Sequence, residues 1–238
     1  MMEDLLGKIA EIKPTLIGLG EMDHGVHTET LKELLSNFES VDGIFLEYPA
    51  NYQGSINHYL NYKVLDEPLK QLLAGGAGEG KELEPTLVSI LDFASERSVP
   101  VICIDSSKNK TEIYNHEPEQ GSYFLRSGSR DEDMSLNVLE HIEQKLGTWI
   151  IIAHAAHLDF SFDMHKDDPS LGKRLKAKLS DKFFNICLLK DAQINHTKYL
   201  LREKLLNEID SKILRKQGYS FLAQDGRIKG FQGLVIHP

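Results

Sequence analysis

Short apolar runs rich in β-branched residues recur along this chain, separated by stretches of a different rhythm. They are Thr15-Leu-Ile-Gly-Leu-Gly20, Gly43-Ile-Phe-Leu-Glu-Tyr48, Val99-Pro-Val-Ile-Cys-Ile-Asp105, Thr148-Trp-Ile-Ile-Ile-Ala-His154, Phe183-Phe-Asn-Ile-Cys-Leu-Leu189 and Gly233-Leu-Val-Ile-His237. None alternates apolar with polar residues, so each suits a strand covered on both faces, as in a mostly parallel sheet. Between them lie helical patterns. Glu29 to Phe38 carries Leu31, Leu34, Leu35 and Phe38, and Glu84 to Glu96 carries Leu87, Ile90, Leu91 and Ala94. Asp131 to Leu146 carries Met134, Leu136, Val138, Leu139, Ile142 and Leu146, and Leu171 to Leu179 carries Leu175 and Leu179. Strands alternating with helices predict an α/β fold: a mostly parallel central sheet flanked by helices, built from right-handed crossovers.

Two stretches break that alternation. Asn51 to Ala74 reads as short helices rich in aromatics and amides, and runs into Gly75-Gly-Ala-Gly-Glu-Gly80. That glycine run lacks the GxxxxGK[ST] order of a phosphate loop, so a linker is the better reading. Residues 51–98 are expected to form a small helical lid or insertion within one domain spanning 1–238. Asn195 to Gln217 reads as a long helix whose Leu200, Leu201, Leu205, Leu206 and Ile209 suit core packing better than a dimer contact. Oligomeric state is not readable from this.

Composition narrows the partners. The chain has 238 residues, enough to bury a core without staples, and a formal net charge of −9. An acidic surface repels phosphate backbones and anionic headgroups, which argues against nucleic acid and membrane as partners and for a small molecule. The basic run Lys173-Arg174-Leu175-Lys176-Ala177-Lys178 is best read as a solvated helix face. The two cysteines, Cys103 and Cys187, sit in strand-like runs and are expected to be buried free thiols. The N-terminus lacks the basic start and apolar stretch of a signal peptide, so a cytoplasmic location is expected.

Parallel sheets bind ligands beyond the carboxyl ends of their strands. At those ends stand Gly20-Glu21-Met22-Asp23-His24-Gly25, then Glu47, Asp105, His154-Ala155-Ala156-His157, and Lys190-Asp191. A parallel sheet brings these onto one rim, where carboxylates and imidazoles can share acid/base work at neutral pH. Each also has an ordinary reading. Asp105 and Asp191 could be helix caps or solvated loop residues. His27 and His58 read as surface or loop histidines, and His165, within Met164-His165-Lys166-Asp167-Asp168, as part of a solvated loop. Glu29 could be a helix-dipole charge. The set of Glu21, His24, Glu47, His154 and His157 is harder to dismiss than any member alone. Glu21, His24, His154 and His157 could also serve as ligands if a divalent metal is present, although no cofactor is required. No GxSxG elbow exists for a nucleophilic serine.

These residues resemble the erythromycin esterase family. The resemblance lies in Gly18-Leu-Gly-Glu21-Met-Asp-His24-Gly25 with Glu29 after it, and in Phe45-Leu-Glu47. It continues in Arg130-Asp131-Glu-Asp-Met134-Ser-Leu-Asn137, in Ile152-Ala-His154-Ala-Ala-His157, in Ser170-Leu-Gly172, and in the closing Gly230 to His237. The resemblance implies hydrolysis of an ester or lactone by activated water. His24 would be the general base, with Glu21 and Glu47 orienting it or the water. His154 and His157 would position water or stabilise the oxyanion, and Arg130 would hold the site or polarise a substrate oxygen; Asp105, from its strand-end position, and Glu29 are expected to bind substrate beside it. Ala155 stands where the family often has Asn, and the 51–74 stretch is a reduced version of the family's cover over the cleft. Three other readings stay open: a metal-dependent hydrolase, a tailoring enzyme catalysing elimination or rearrangement, and a non-catalytic binder of a small ligand such as haem.

Overall fold

The computed structural model describes residues 2–21, 27–38, 40–73, 85–105, 127–143, 147–160, 163–165, 168–190, 220–222 and 230–237. The expected helix at 195–217, the glycine run 75–80, His24 and Asp191 lie outside the described residues. The strands are β1 (Leu16–Glu21), β2 (Gly43–Pro49), β3 (Val101–Asp105), β4 (Trp149–His154), β5 (Asp163–His165), β6 (Asp168–Pro169), β7 (Phe183–Lys190), β8 (Ser220–Leu222) and β9 (Gly233–His237). The helices are α1 (Met2–Ile12), α2 (Thr28–Asn37), α3 (Gln53–Tyr62), α4 (Glu67–Leu73), α5 (Pro85–Glu96), α6 (Ser127–Glu143), α7 (Ala155–Leu158) and α8 (Leu171–Leu179). Single 3₁₀ turns precede α3 and β7.

The main sheet has seven strands in the order β3-β2-β4-β1-β7-β9-β8. All its pairs are parallel except β8 against β9. The α/β architecture expected from the strand runs is therefore present, with one antiparallel edge strand added. Side chains alternate strictly between two cores. Ile17, Leu19, Ile44, Leu46, Val101, Cys103, Ile150, Ile152, Phe184 and Ile186 face α1 to α5. Leu16, Phe45, Ile104, Trp149, Ile151, Ala153, Phe183 and Cys187 face α6, α7 and α8. Both faces of the sheet are thus dry, which is why the runs read as unbroken apolar stretches.

The path of the chain explains where the rim opens. From β1 through β2 to β3 the chain steps one way along the sheet, with its helices on the first face. From β3 to β4 and on to β7 it steps back, with its helices on the second. Changing face with direction keeps every crossover the same hand. Neighbouring β1 and β4 consequently send their outgoing segments to opposite faces, and such a switch point leaves a crevice at the carboxyl ends.

Segment 51–98 contributes α3, α4 and α5, whose Ile56, Tyr59, Leu69, Leu73, Leu87 and Leu91 are buried in the first core. Gln53 at the start of α3 also guards the edge of β3. Its amide donates to the Val101 carbonyl at 2.8 Å and accepts from the Cys103 N–H at 2.8 Å. This occupies main-chain groups that an open edge would offer to another strand.

Two loop expectations are corrected. His27 is outside any helix or strand but fully buried rather than on the surface: it is the N-cap of α2, and its carbonyl accepts the Leu31 N–H. His165 lies in β5 rather than in a plain loop, paired antiparallel with Asp168 of β6. His58 does lie on the surface, against Tyr62.

Close backbone approach on the second face depends on glycine. A Cβ at Gly20 would lie 3.1 Å from the Ala155 Cα, so α7 rests almost directly on β1. At Gly172 a Cβ would come within 2.2 Å of the Leu158 carbonyl oxygen, where the end of α7 meets the start of α8. That neighbour is backbone and cannot rotate away. Gly172→Ala is therefore expected to destabilise the fold by about 1–3 kcal/mol, as overpacking does. A urea titration would show this as a lower midpoint at an unchanged slope.

Candidate active site

Four segments distant in sequence meet at the rim beside the switch point. Glu47 comes from the end of β2, where the pairing with β3 shifts register between Leu46 and Pro49. Irregularities of this kind re-aim a side chain at a strand end. Asp105 ends β3, and His154 ends β4. His157 follows on α7, for which His154 is the N-cap. Arg130 and Asp131 come from the beginning of α6. This helix is moored to β3 by the Asn137 side chain, which donates to the Ile104 carbonyl at 2.9 Å.

Arg130 is the hub. Its Nε donates to Asp105 Oδ1 at 2.8 Å, and its Nη2 donates to Asp105 Oδ2 at 2.9 Å and to Glu47 Oε1 at 2.7 Å. This is a bidentate fork with a second carboxylate added, an arrangement only a guanidinium can make. Glu47 Oε2 accepts the His154 backbone N–H at 2.7 Å, so both oxygens of Glu47 are held. The two acids are each 7% exposed at the side chain, against 27% for Arg130. Arg130 is thus the most exposed side chain of the three. Among the described residues its Nη1 meets only His157 Nε2, at 3.4 Å.

His157 is nearly buried. Its Nδ1 lies 2.5 Å from Asp131 Oδ1, and its Nε2 lies 3.3 Å from Glu47 Oε1. Asp131 Oδ2 accepts the Leu171 N–H at 3.0 Å, which joins the site to the start of α8. Burial disfavours charge on His157, but Glu47 and Asp131 outweigh burial and the opposing Arg130, so its pKa is raised. Burial also raises the Asp131 carboxyl, against the pull of the His157 hydrogen bond. Burial works against the Arg130 charge as well, and Glu47 and Asp105 more than restore it. Three carboxylates share one guanidinium, so an imidazolium at His157 brings the cluster closer to neutrality.

His154 is oriented by the main chain. Its Nδ1 accepts the Ala156 N–H at 3.2 Å, which leaves the ring proton on Nε2 when the imidazole is neutral. The two histidine rings stand 6.5 Å apart, nearly perpendicular. Glu21 is buried at the end of β1, in register with His154.

The structure thus brings together Glu47, Asp105, Arg130, His154 and His157, with Glu21 one strand away. Asp105 is no loose cap; it grips Arg130. Glu29 does not join them. It lies on the surface of α2, its side chain 85% exposed and paired with Lys32 at 3.0 Å. Asp131 was not anticipated as a site residue. The available signal was an acid directly after Arg130 in a helix whose Met134, Val138 and Ile142 are buried as expected, although Leu136, expected on the same face, is exposed. Among the described residues, no group of three or more His, Cys, Asp or Glu converges in a way that could hold a metal ion. Both cysteines are free and buried, as expected. Burial, with Asp105 adding, pushes the Cys103 thiol up to about 12, and burial with Asp159 raises Cys187 as well. Neither is poised as a thiolate. Among the described residues, no helix is long and apolar enough to cross a membrane.

No protein-family model matches the sequence, and neither does any curated protein. Solved structures do. A variant of the erythromycin esterase EreC in its open conformation superposes with a TM-score of 0.65 at 13% identity, over 99% of this chain and 93% of that one. The type III effector HopBA1 gives 0.53 at 15% identity, covering 98% and 91%. The C-terminal region of Pasteurella multocida toxin, described as holding a thiol-protease-like catalytic triad, gives 0.53 at 14% identity, covering 79% of this chain and 24% of that one. The fold is therefore that of these proteins.

The raised pKa of His157 carries a pH signature. A base whose folded-state value lies above its ordinary 6.5 adds stability that is complete below that pH and fades as pH rises through the folded-state value. The urea midpoints of wild type and His157→Gln should be furthest apart below about pH 6.5 and converge above it. A gap that widened as pH rose would contradict an imidazolium at this position.

Proposed function

We propose that this chain is a hydrolase of the erythromycin-esterase type, using activated water against an ester or lactone of a small natural product. The observation that carries the reading is the Arg130–His157 pair at the strand rim. Arg130 is locked by two carboxylates through Nε and Nη2, and among the described residues neither carboxylate takes a hydrogen bond from Nη1. With His157 protonated, its Nε2 also carries a hydrogen. That hydrogen is directed toward Glu47, which releases Arg130 Nη1 as a fixed cationic donor at the strand rim, suited to the negative charge that develops on a carbonyl oxygen when water attacks. The likeness to EreC in fold supports the same reading.

The remaining roles follow from which atoms are occupied. Glu47 holds Arg130 and the His154 backbone, so it organises the site and is not the base. His154 has Nδ1 committed to a backbone donor, which suits a hydrogen-bond donor through Nε2. The base is assigned to His24, three residues beyond Glu21, with the Glu21 carboxylate stabilising the imidazolium that forms. The water proton passes to His24 and then to the leaving alcohol, so no covalent intermediate is required.

A panel of esters and lactones, incubated with the protein in ¹⁸O water, tests this. One labelled oxygen should enter the acid product. Arg130→Gln should lower kcat by about 10²–10³-fold, as loss of an oxyanion donor does. His24→Ala should abolish base catalysis, worth roughly 10²–10⁴-fold. Product without label would point to elimination, and activity lost to chelator but restored by zinc would point to a metal-dependent hydrolase.

A further inference from the structure

Asp131 follows Arg130 directly on α6, yet its carboxylate serves different partners. It is fully buried, and its two oxygens are divided between a side chain and the main chain. Oδ2 accepts the Leu171 N–H at 3.0 Å, and Oδ1 lies 2.5 Å from His157 Nδ1. We propose that Asp131 is a positioning residue that locks His157 in its Nδ1–H form and aims Nε2 at Arg130 and Glu47.

The argument is one of donors and acceptors. A contact of 2.5 Å between nitrogen and oxygen needs a proton between them. Burial works against charge on Asp131, but the Leu171 N–H and the His157 contact favour its ionised form, and an ionised carboxylate has no proton to give, so the proton belongs to Nδ1. The other ring nitrogen then faces two groups of fixed character. Arg130 Nη1 can only donate, and it lies 3.4 Å from Nε2. Glu47 Oε1, as a carboxylate, can only accept, and it lies 3.3 Å away. With Nδ1 settled, a neutral ring has its lone pair on Nε2 and takes a hydrogen bond from Arg130. A charged ring donates from Nε2 toward Glu47 and releases Arg130 Nη1. Without Asp131, a neutral ring could place its only proton on Nε2, where it would oppose Arg130. The Leu171 bond also ties the ring's orientation to the docking of α8.

Asp131→Asn separates this role from mere packing. The Asn side chain keeps the shape and an acceptor for the Leu171 N–H, but it turns a donor toward His157 Nδ1. The ring should then move its proton to Nε2. The test is ¹⁵N-histidine NMR on the full chain, with His157→Gln assigning the signal. In wild type, His157 should show a protonated Nδ1 whose hydrogen resonates far downfield. In Asp131→Asn that resonance should vanish, and the neutral ring should read as Nε2–H, while circular dichroism reports an unchanged fold. A variant that kept the Nδ1–H form would overturn the inference. So would a wild-type spectrum with no Nδ1 proton assignable to His157, a measurement that stands even if the variant does not fold.

The kinetic consequence rests on the hydrolase reading. With any ester the chain turns over, Asp131→Asn should lower kcat by up to ~10⁴-fold, the loss seen when an Asp–His pair takes the wrong tautomer. KM should stay within a few fold, because the defect lies in transition-state charge rather than in binding. If no ester is hydrolysed, the hydrolase reading fails while the NMR result still decides the role of Asp131. A tautomer switch with kcat unchanged would remove the catalytic consequence.

Discussion

Everything at the carboxyl rim of the sheet depends on one guanidinium. Arg130 takes both oxygens of Asp105 and one of Glu47, and by doing so makes two strand-end acids tolerable where solvent is largely excluded. Removing one member of a buried ionic group typically costs more than the group contributes, because the others remain as uncompensated charge. The arrangement is therefore better understood as a means of fixing geometry than as a source of stability. Glu47 passes the constraint on to the backbone of His154, and Asp131 passes it to His157 and α8.

Much of this was legible in the sequence because both faces of the sheet are buried. Unbroken runs such as Trp149 to Ala153 could only be interior strands, and in parallel order their last residues had to share a rim. Most boundaries moved by one or two residues, as helix and strand ends do, but α6 begins at Ser127, four residues before the expected Asp131. What escaped had physical reasons. Strand β8 is three residues long and pairs at the sheet edge, too short to carry a period. Helix α1 precedes the first strand run and was not read from its pattern, although Leu5 and Ile9 are buried in the first core.

The site was partly legible for a related reason. Strand-end position is a local property, so Glu47, His154 and His157 could be found from runs alone, and Arg130 through the family resemblance. Pairing is not local. Nothing in the spacing told that Asp105 would face Arg130 rather than cap a helix, or that Glu29 would turn outward to Lys32. Asp131 was hidden for the same reason. An acid near the start of a helix is unremarkable until the histidine across from it is known.

Three strand ends and two helices build this rim, and α6 brings its cation and its third acid on adjacent residues. Hydration of the acids is therefore under the control of a single element. Local opening that lifted α6 from β3 would return Glu47, Asp105 and Asp131 to water together and take Arg130 away in the same motion. Dehydration and charge compensation are one event here, not two. The charge compensation of this rim thus depends on α6 staying docked against the sheet.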